Sequence, residues 1–391
     1  MALNVLFLHT GGSWIRGSEN ALLTIMRGVD REKIQPFLCT SNNKLALLAR
    51  AEGIETMVCR MPEIMVDGSS VQLPFLQSAM AIRTICSFAK QMKIQLLYCN
   101  GGSTCQIGYY AGKLAGIPVV SHLHSPYNRR YILLYRLHRA AKVIVVSKAV
   151  EKAVLGKQRF LGNCEVVYNG VDLNRFQPAR ERNGNWRKRL GLPAEGVVFG
   201  QVSSLIPRKG IDVLLRAFQI VSASSPDSRL VLVGDGPQHS EYSTMVRQLR
   251  LSGKVLFTGN QDDPLPYYQQ VFDVNVLASR SDAFPLSLLE AAACGLPCIG
   301  ADVDGIGEAV QDSQTGLLFE SGKPELLAEK MLLLVSEPLL RKAYGIAGRQ
   351  QATERFSMDR YCKSIQRIIL EYAGAEVASQ PFRIRSFPEP D

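Results

Sequence analysis

The sequence predicts an α/β protein built from two doubly wound parallel sheets that face each other across a cleft. Three observations predict it. The 391-residue chain is too long for one ordinary core and suits two domains of about 150 to 200 residues each. Short, nearly continuous apolar runs alternate with helix-length segments, the pattern of parallel strands buried on both faces. The series then occurs twice, on either side of a polar, Arg-rich stretch.

The strands expected in the first half are "NVLFLHT", "IQPFLCT", "IQLLYCN", "IPVVSHLH" and "KVIVVS". Those in the second half are "GVVFGQVS", "RLVLVGDG", "KVLFTGN", "DVNVLAS" and "PCIGAD". Between them runs "CEVVYNGVDLNRFQPARERNGNWRKR", which puts the boundary near Pro178: a first domain over 1–177 and a second over 178–365. Each half is then Rossmann-like, with ligands expected outside the carboxyl ends of the strands.

Composition narrows the function. At 46% hydrophobic and 20% charged residues, with no apolar run near the roughly 18 residues of a membrane span, the chain reads as a globular protein. Its start, "MALNVLFLHTGG", has no basic segment before the apolar run, so it reads as a buried first strand and not as a signal peptide. Nine Cys lie singly in apolar segments without a CxxC pair or His cluster, which suggests structural thiols in a reducing cytoplasm. The formal charge of +10 asks for an anionic partner. One basic cluster, "YNRRYILLYRLHRAAK" (Tyr127 to Lys142), reads as a helix, either lying on anionic lipid or packed in the core with its Arg face solvated. A second, "ARERNGNWRKRLGLP", reads as an exposed start to the second domain. No repeat, low-complexity tract or RNA-binding aromatic signature is present, and a nucleic-acid partner is not expected.

The polar and Gly-rich signals follow strands. After the first comes "GGSWIRGSENALL", whose glycines permit close backbone approach and whose helix start offers free N–H groups to an anion. It is not G-x-G-x-x-G, and no acidic residue ends the second strand, so a dinucleotide cofactor is disfavoured. Ser18 and Glu19 there also suit helix capping. In the second half, "VSSLIPRKGIDVLLRAF" places Arg208 and Lys209 at a strand's carboxyl end beside a helix start, where two cations would attract a diphosphate by about 4 kcal/mol per charge pair at 4 Å in a partly screened cleft. "LVLVGDGP", "VLFTGNQDD" and "ASRSDAFPLSLLEAAACGLP" follow in order, the last carrying Asp282 eight positions before Glu290.

This ordered set resembles the second domain of retaining GT-B glycosyltransferases, specifically family four, which includes many bacterial cell-envelope sugar transferases. "GSENALL", "PVVSHLHSP", "VIVVSKAV" and "VVYNGVD" extend the resemblance over most of residues 4 to 370, with only the loop matching between Asn4 and Leu97. The resemblance implies that the first acid's loop contacts the donor sugar and that Glu290 holds the nucleotide ribose, which is sound because a carboxylate can accept both hydroxyls of a cis-diol at about 1.5 to 3 kcal/mol per charge-assisted bond. Asp282 stands where the family usually has Glu and is one methylene shorter, so backbone N–H groups of Ala283, Phe284, Leu286 and Ser287, around Pro285, share the recognition. Ser204 stands where the family typically has Arg; Lys209 is expected to meet the diphosphate, with Arg208 or another basic residue supplying the missing charge. Gly12, Gly17, Gly234, Gly259 and Asn260 are assigned to the donor side.

By the same resemblance His124 lines the donor sugar from the first domain, with His122 on the same strand face as the fallback. Glu19 and Tyr127 join His122 on the acceptor side. His124, Asp282 and Lys209 are the expected catalytic residues. The implied reaction moves a hexose-type sugar from a nucleoside diphosphate to a lipid-linked or polysaccharide acceptor with retention, without a protein nucleophile or an essential metal, in the cytoplasm and at the inner face of the membrane. Cations and N–H groups aimed at the leaving diphosphate would supply the stabilisation. The last segment, "RFSMDRYCKSIQRIILEYA", is expected to return to the first domain as part of the hinge, with 366–391 assigned to that domain. The rivals are a nucleotide-sugar epimerase and a catalytically idle sugar-nucleotide-binding subunit; a dehydrogenase ranks below both.

Overall fold

The computed structural model describes residues 2–12, 15, 17–62, 65–67, 70–72, 74–155 and 163–373. The first half contains β1 (Leu3–His9), α1 (Gly17–Gly28), β2 (Ile34–Thr40), α2 (Asn43–Ala51), β3 (Glu55–Val58), an antiparallel pair β4 (Met65–Asp67) and β5 (Ser70–Gln72), α3 (Phe75–Gln91), β6 (Leu96–Asn100), α4 (Gly102–Ala115), β7 (Val119–Leu123), α5 (Arg129–Leu134), β8 (Lys142–Val145), α6 (Lys148–Leu155) and β9 (Cys164–Val166). The second contains α7 (Asn185–Arg189), β10 (Val198–Val202), α8 (Ile211–Ser224), β11 (Arg229–Val233), α9 (His239–Gln248), β12 (Val255–Phe257), β13 (Val274–Leu277), α10 (Leu286–Ala293), β14 (Cys298–Ala301), α11 (Ile306–Ala309), β15 (Gly316–Phe319), α12 (Pro324–Ser336), α13 (Pro338–Arg355) and α14 (Met358–Ala373).

Two all-parallel sheets result, in the orders β3-β2-β1-β6-β7-β8-β9 and β12-β11-β10-β13-β14-β15. All ten expected strands are present. The three parallel strands that the sequence pattern missed, β3, β9 and β15, are all sheet edges, where one flank lacks a neighbour and a short run suffices. The alternation of strand side chains builds two cores around the first sheet. Val5 and Phe7 pack with Leu22, Ile25 and Ile365, whereas Leu6 and Leu8 pack with Ile85, Ala89 and Ala111. In the second domain Phe199 meets Leu214 and Phe218 of α8.

The chain crosses between the sheets twice, and the crossings lie side by side. Val171 N–H donates to the Phe356 carbonyl at 2.8 Å, and Met358 N–H returns to the Val171 carbonyl at 2.9 Å. Gly170 makes this possible: a Cβ there would lie 2.7 Å from Met358 Cα and 2.7 Å from Tyr361 Cβ. Ser357 then caps α14, its Oγ accepting from Arg360 N–H at 3.3 Å, so the helix starts at Met358 and not at residue 366. It packs on α1, with Ile365, Ile368 and Ile369 buried in the first-domain core; residues 374–391 of the tail assigned to that domain lie outside the described residues.

One expectation changes. The "YNRRYILLYRLHRAAK" segment is not one helix: α5 ends at Leu134, Arg136 takes a left-handed φ of 59°, and a short 3-10 turn covers Leu137–Arg139. Ile132, Tyr135 and Leu137 must all be buried, and a straight helix could not turn them into the same core. The second basic cluster is exposed over most of its length, as expected, and is also anchored: Arg182 and Arg187 clasp the Asp273 carboxylate at 2.9 and 2.6 Å, and Trp186 lies on Tyr267. Gly170→Ala is expected to cost about 1 to 3 kcal/mol by overpacking the two crossings, seen as a lower melting temperature with faster amide exchange at Val171 and Met358.

Candidate active site

The strand order of each sheet reverses at one place, between β1 and β6 in the first and between β10 and β13 in the second. Strand ends diverge there and leave a crevice. The first crevice holds a buried polar chain made from the last residues of the strands. His124 Nε2 donates to Asn100 Oδ1 at 2.7 Å, Asn100 Nδ2 donates to His9 Nδ1 at 3.0 Å, and His9 Nε2 donates to Glu19 Oε1 at 3.0 Å. Asn100 Nδ2 also donates to the Ser18 carbonyl at 3.1 Å, which fixes which way the amide faces. His9 therefore has both ring nitrogens engaged, and His124 keeps Nδ1 as an acceptor.

Burial alone would raise the Glu19 carboxyl, but the hydrogen bond from His9, with help from Ser18, holds it down at about 2. Burial lowers His124 to about 4, so its imidazole is neutral at neutral pH. His122 does not reach the crevice. It is fully buried, with Nδ1 2.8 Å from the Tyr98 hydroxyl and its ring against Tyr361, because its register on β7 turns it into the core beneath His124. Tyr127 is committed to the fold as well. Its hydroxyl accepts from Gly102 N–H at 3.3 Å and its ring covers the start of α4, where a Cβ on Gly102 would meet it at 2.7 Å.

On the other side, the turn after β10 carries Lys209, whose ammonium pairs with Asp282 in the loop after β13; Arg208 lies 3.7 Å from the same carboxylate and donates to the Ser281 carbonyl at 2.6 Å. The turn can lie on the end of β13 because Gly210 takes a φ of +65°, with a Cβ excluded by the Ala278 carbonyl at 1.9 Å. Ser204 and Asn260 are exposed at the mouth, and Gly234 N–H donates to the Gly259 carbonyl at 2.9 Å, closing the ends of β11 and β12 together. Glu290, on α10, accepts from the Tyr268 hydroxyl at 3.0 Å. Burial pushes its carboxyl up to about 7 against the opposing Tyr268 bond and Arg175 charge.

The two sides meet. Gly17, at the start of α1, faces Leu286, with 3.9 Å between the Leu286 methyl and the place of a Gly17 Cβ. Asn169 Nδ2 donates to the Phe284 carbonyl at 3.1 Å, and the Phe284 ring packs between Tyr168 and Phe356 at 5.0 and 5.2 Å, so that side chain serves the hinge and only its backbone is left for a ligand. Ser287 and Pro285 frame the start of α10 beside it, while Gly12 lies in open space. Sequence reasoning missed His9, Asn100 and Tyr268. A polar residue closing an apolar strand, as in "LFLH" and "LLYCN", is the signal that marks the first two; Tyr268 gives none, because its partner is fixed only by folding. Among the described residues no three His, Cys, Asp or Glu side chains converge as metal ligands would, and no helix is long and apolar enough to cross a membrane.

Comparison with known proteins gives this arrangement a class. HepE of Anabaena, solved in complex with UDP, superposes with a TM-score of 0.82 at 22% identity over 94% of this chain and 100% of that one, which defines the GT-B fold. Residues 183–351 match the model of glycosyl transferases group 1 and residues 15–175 that of glycosyltransferase family 4. The N-acetyl-alpha-D-glucosaminyl L-malate synthase of Bacillus anthracis is 30% identical over 204 residues, 52% of each chain, so the match spans about half of that protein. The UDP-Gal:alpha-D-GlcNAc-diphosphoundecaprenol alpha-1,3-galactosyltransferase of Escherichia coli is 26% identical over 322 residues, 76% of this chain and 82% of that one. The chain belongs to the group 1, family 4 glycosyltransferases.

The raised Glu290 carboxyl has a measurable sign. Between its ordinary value of 4.5 and about 7 the folded state holds more protons than the unfolded state, so this group's contribution to stability falls as pH rises through that window and is then constant. Glu290→Gln is expected to gain melting temperature relative to the parent between about pH 5 and pH 8. Parallel pH profiles for the two proteins would contradict the assignment.

Proposed function

We propose that this protein transfers a hexose-type sugar from a nucleoside diphosphate to a lipid-linked or polysaccharide acceptor of the cell envelope, with retention of anomeric configuration. The observation that carries the reading is the opposition of two polar strand-end sites, Lys209, Asp282 and Glu290 on one side and the His124–Asn100–His9–Glu19 chain on the other. A diphosphate entering beside Lys209 would take the ammonium from Asp282, and the freed carboxylate would then face the sugar. Ribose hydroxyls donated to Glu290 would favour its carboxylate over its acid. His124 Nδ1 would accept from a sugar hydroxyl, neutral and oriented by Asn100.

In the reaction, the bond from the anomeric carbon to the diphosphate oxygen breaks as the bond to the acceptor oxygen forms on the same face. The acceptor proton passes to the departing phosphate oxygen, and the leaving charge is met by Lys209, Arg208 and the N–H groups that open α10. Neither His9 nor Glu19 is needed as a base. No essential metal is proposed, and chelator is expected to leave turnover unchanged. The Escherichia coli relative's diphosphate-lipid acceptor supports an acceptor of that kind here. Exposed Phe75, Leu76 and Met80 on α3, and exposed Leu133, Arg129 and Arg130 on α5, suit an anionic membrane face on the cytoplasmic side.

Thermal shifts with UDP, GDP, ADP, CMP and NAD test the donor reading. One nucleoside diphosphate at 100 times its Kd is expected to stabilise by about 2.7 kcal/mol, and Glu290→Ala to abolish most of it. A shift with NAD alone would sink the transferase, and release of a free epimer in place of a glycoside would turn the reading to an epimerase. For the membrane, co-sedimentation with anionic vesicles is expected to fall on charge reversal at Arg129, Arg130 and Arg136; binding unaffected by it would refute that face.

A further inference from the structure

The strongest unassigned feature is a single carboxylate that joins the two domains. Glu308 lies on α11, in the second domain, yet its hydrogen-bond donors come from the first domain and the crossing. Lys148 N–H donates to its Oε2 at 2.9 Å and Ala149 N–H to its Oε1 at 2.8 Å, while the Tyr168 hydroxyl donates to Oε2 at 2.8 Å. Lys148 and Ala149 are the first two residues of α6, whose opening amides have no acceptor within their own helix. The next amide, Val150 N–H, is met locally by Ser147 Oγ at 3.2 Å, so the helix completes its cap with a residue 160 positions away in sequence. A carboxylate at a helix start also sits at the positive end of the helix dipole. Burial, and then Glu308, push the Tyr168 phenol up to about 12, so it remains a donor over the working pH range.

The same few residues touch the donor loop. Gly305 N–H donates to the Asp282 carbonyl at 3.1 Å, and Ser281 Oγ donates to Asp304 Oδ2 at 2.5 Å. A Cβ on Gly305 would lie 1.9 Å from the Ala283 carbonyl and 3.1 Å from Ser147 Cβ, so the α6 start, the α11 start and the Asp282–Ala283 loop meet at one point. Moving the first domain away from the second would strip Glu308 of its amide donors and leave α6 uncapped.

We propose that Glu308 is a positioning residue that holds the start of α6 against the Asp282 loop, and so sets how the first domain, with His124, is presented to the donor. The latch stands on geometry alone; its effect on turnover rests on the transferase reading. Glu308→Ala, the conservative Glu308→Gln and Tyr168→Phe test it by three measurements.

In Glu308→Ala, amide exchange at residues 148 and 149 is expected to rise about tenfold or more, and solution scattering to show a wider distribution of particle dimensions. Turnover is expected to fall about tenfold or more while the affinity for the nucleoside diphosphate, held in the second domain, changes less than about threefold. Tyr168→Phe, which keeps both amide bonds, and Glu308→Gln, which keeps an acceptor, are expected to fall between it and the parent. Unchanged exchange and dimensions in Glu308→Ala overturn the latch, and so does loss of nucleotide affinity in parallel with turnover. If the parent binds no nucleoside diphosphate, the transferase reading fails, whereas exchange and scattering still decide the latch. Should Glu308→Ala not fold, the same measurements on the other two variants decide it.

Discussion

Parallel pairing puts most of the chemically useful side chains of this molecule at the carboxyl ends of strands, with Glu19 and Glu290 on the helices that follow. Inside a strand buried on both faces, the backbone is consumed by its ladder and the side chains by two helical layers, so no charge can be kept there without heavy desolvation. At the carboxyl end the ladder stops. His9 and Asn100 are the final residues of β1 and β6, His124 follows β7, and Lys209 and Asp282 lie in the loops after β10 and β13. The two crossings, locked together by Val171 and Met358, keep one set of strand ends opposite the other.

The two sides are prepared differently. The first-domain chain is satisfied link by link, and the ionised Glu19 is stabilised by it. Across the cleft, Glu290 is part-buried and accepts from the Tyr268 phenol at 3.0 Å, and it resists ionisation. Asp282 is quenched by its own neighbour, Lys209. One wall is a finished piece of structure; the other holds an ion pair that a ligand can exchange and a carboxyl, Glu290, that the fold leaves reluctant to ionise. Such an imbalance is what a ligand-binding wall requires, since interaction energy left unspent in the empty protein is available to the molecule that fills it.

The fold was legible because its signal is long-range and redundant. Ten apolar runs at regular intervals identify every interior strand and the edge strand β12, whereas β3, with a part-exposed "ETMV", and β9, a three-residue "CEV", give too little pattern to see. The second-domain site was legible for a related reason: Lys209, Asp282 and Glu290 sit in short, ordered motifs. The first-domain site was only half visible. His122 and His124 are equivalent by alternation along a strand, and only packing shows that one is entombed with Tyr98 and Tyr361 while the other meets Asn100. Nothing around Tyr127 in the sequence shows that it is committed to the fold, because the start of α4, which it covers, is 25 residues away.

The amide in the middle of the first-domain chain also decides what that chain can conduct. A row of imidazoles, hydroxyls or waters hands protons along because each member can gain one and lose another. Asn100 has no such freedom: its Nδ2 donates to His9 and its Oδ1 accepts from His124, and to pass a proton it would have to become an imidic acid. His124 is thus mechanically braced by Glu19 and feels its charge, but cannot hand it a proton through the amide. The row of polar residues is a strut, and a proton taken up at His124 would have no path along it to Glu19.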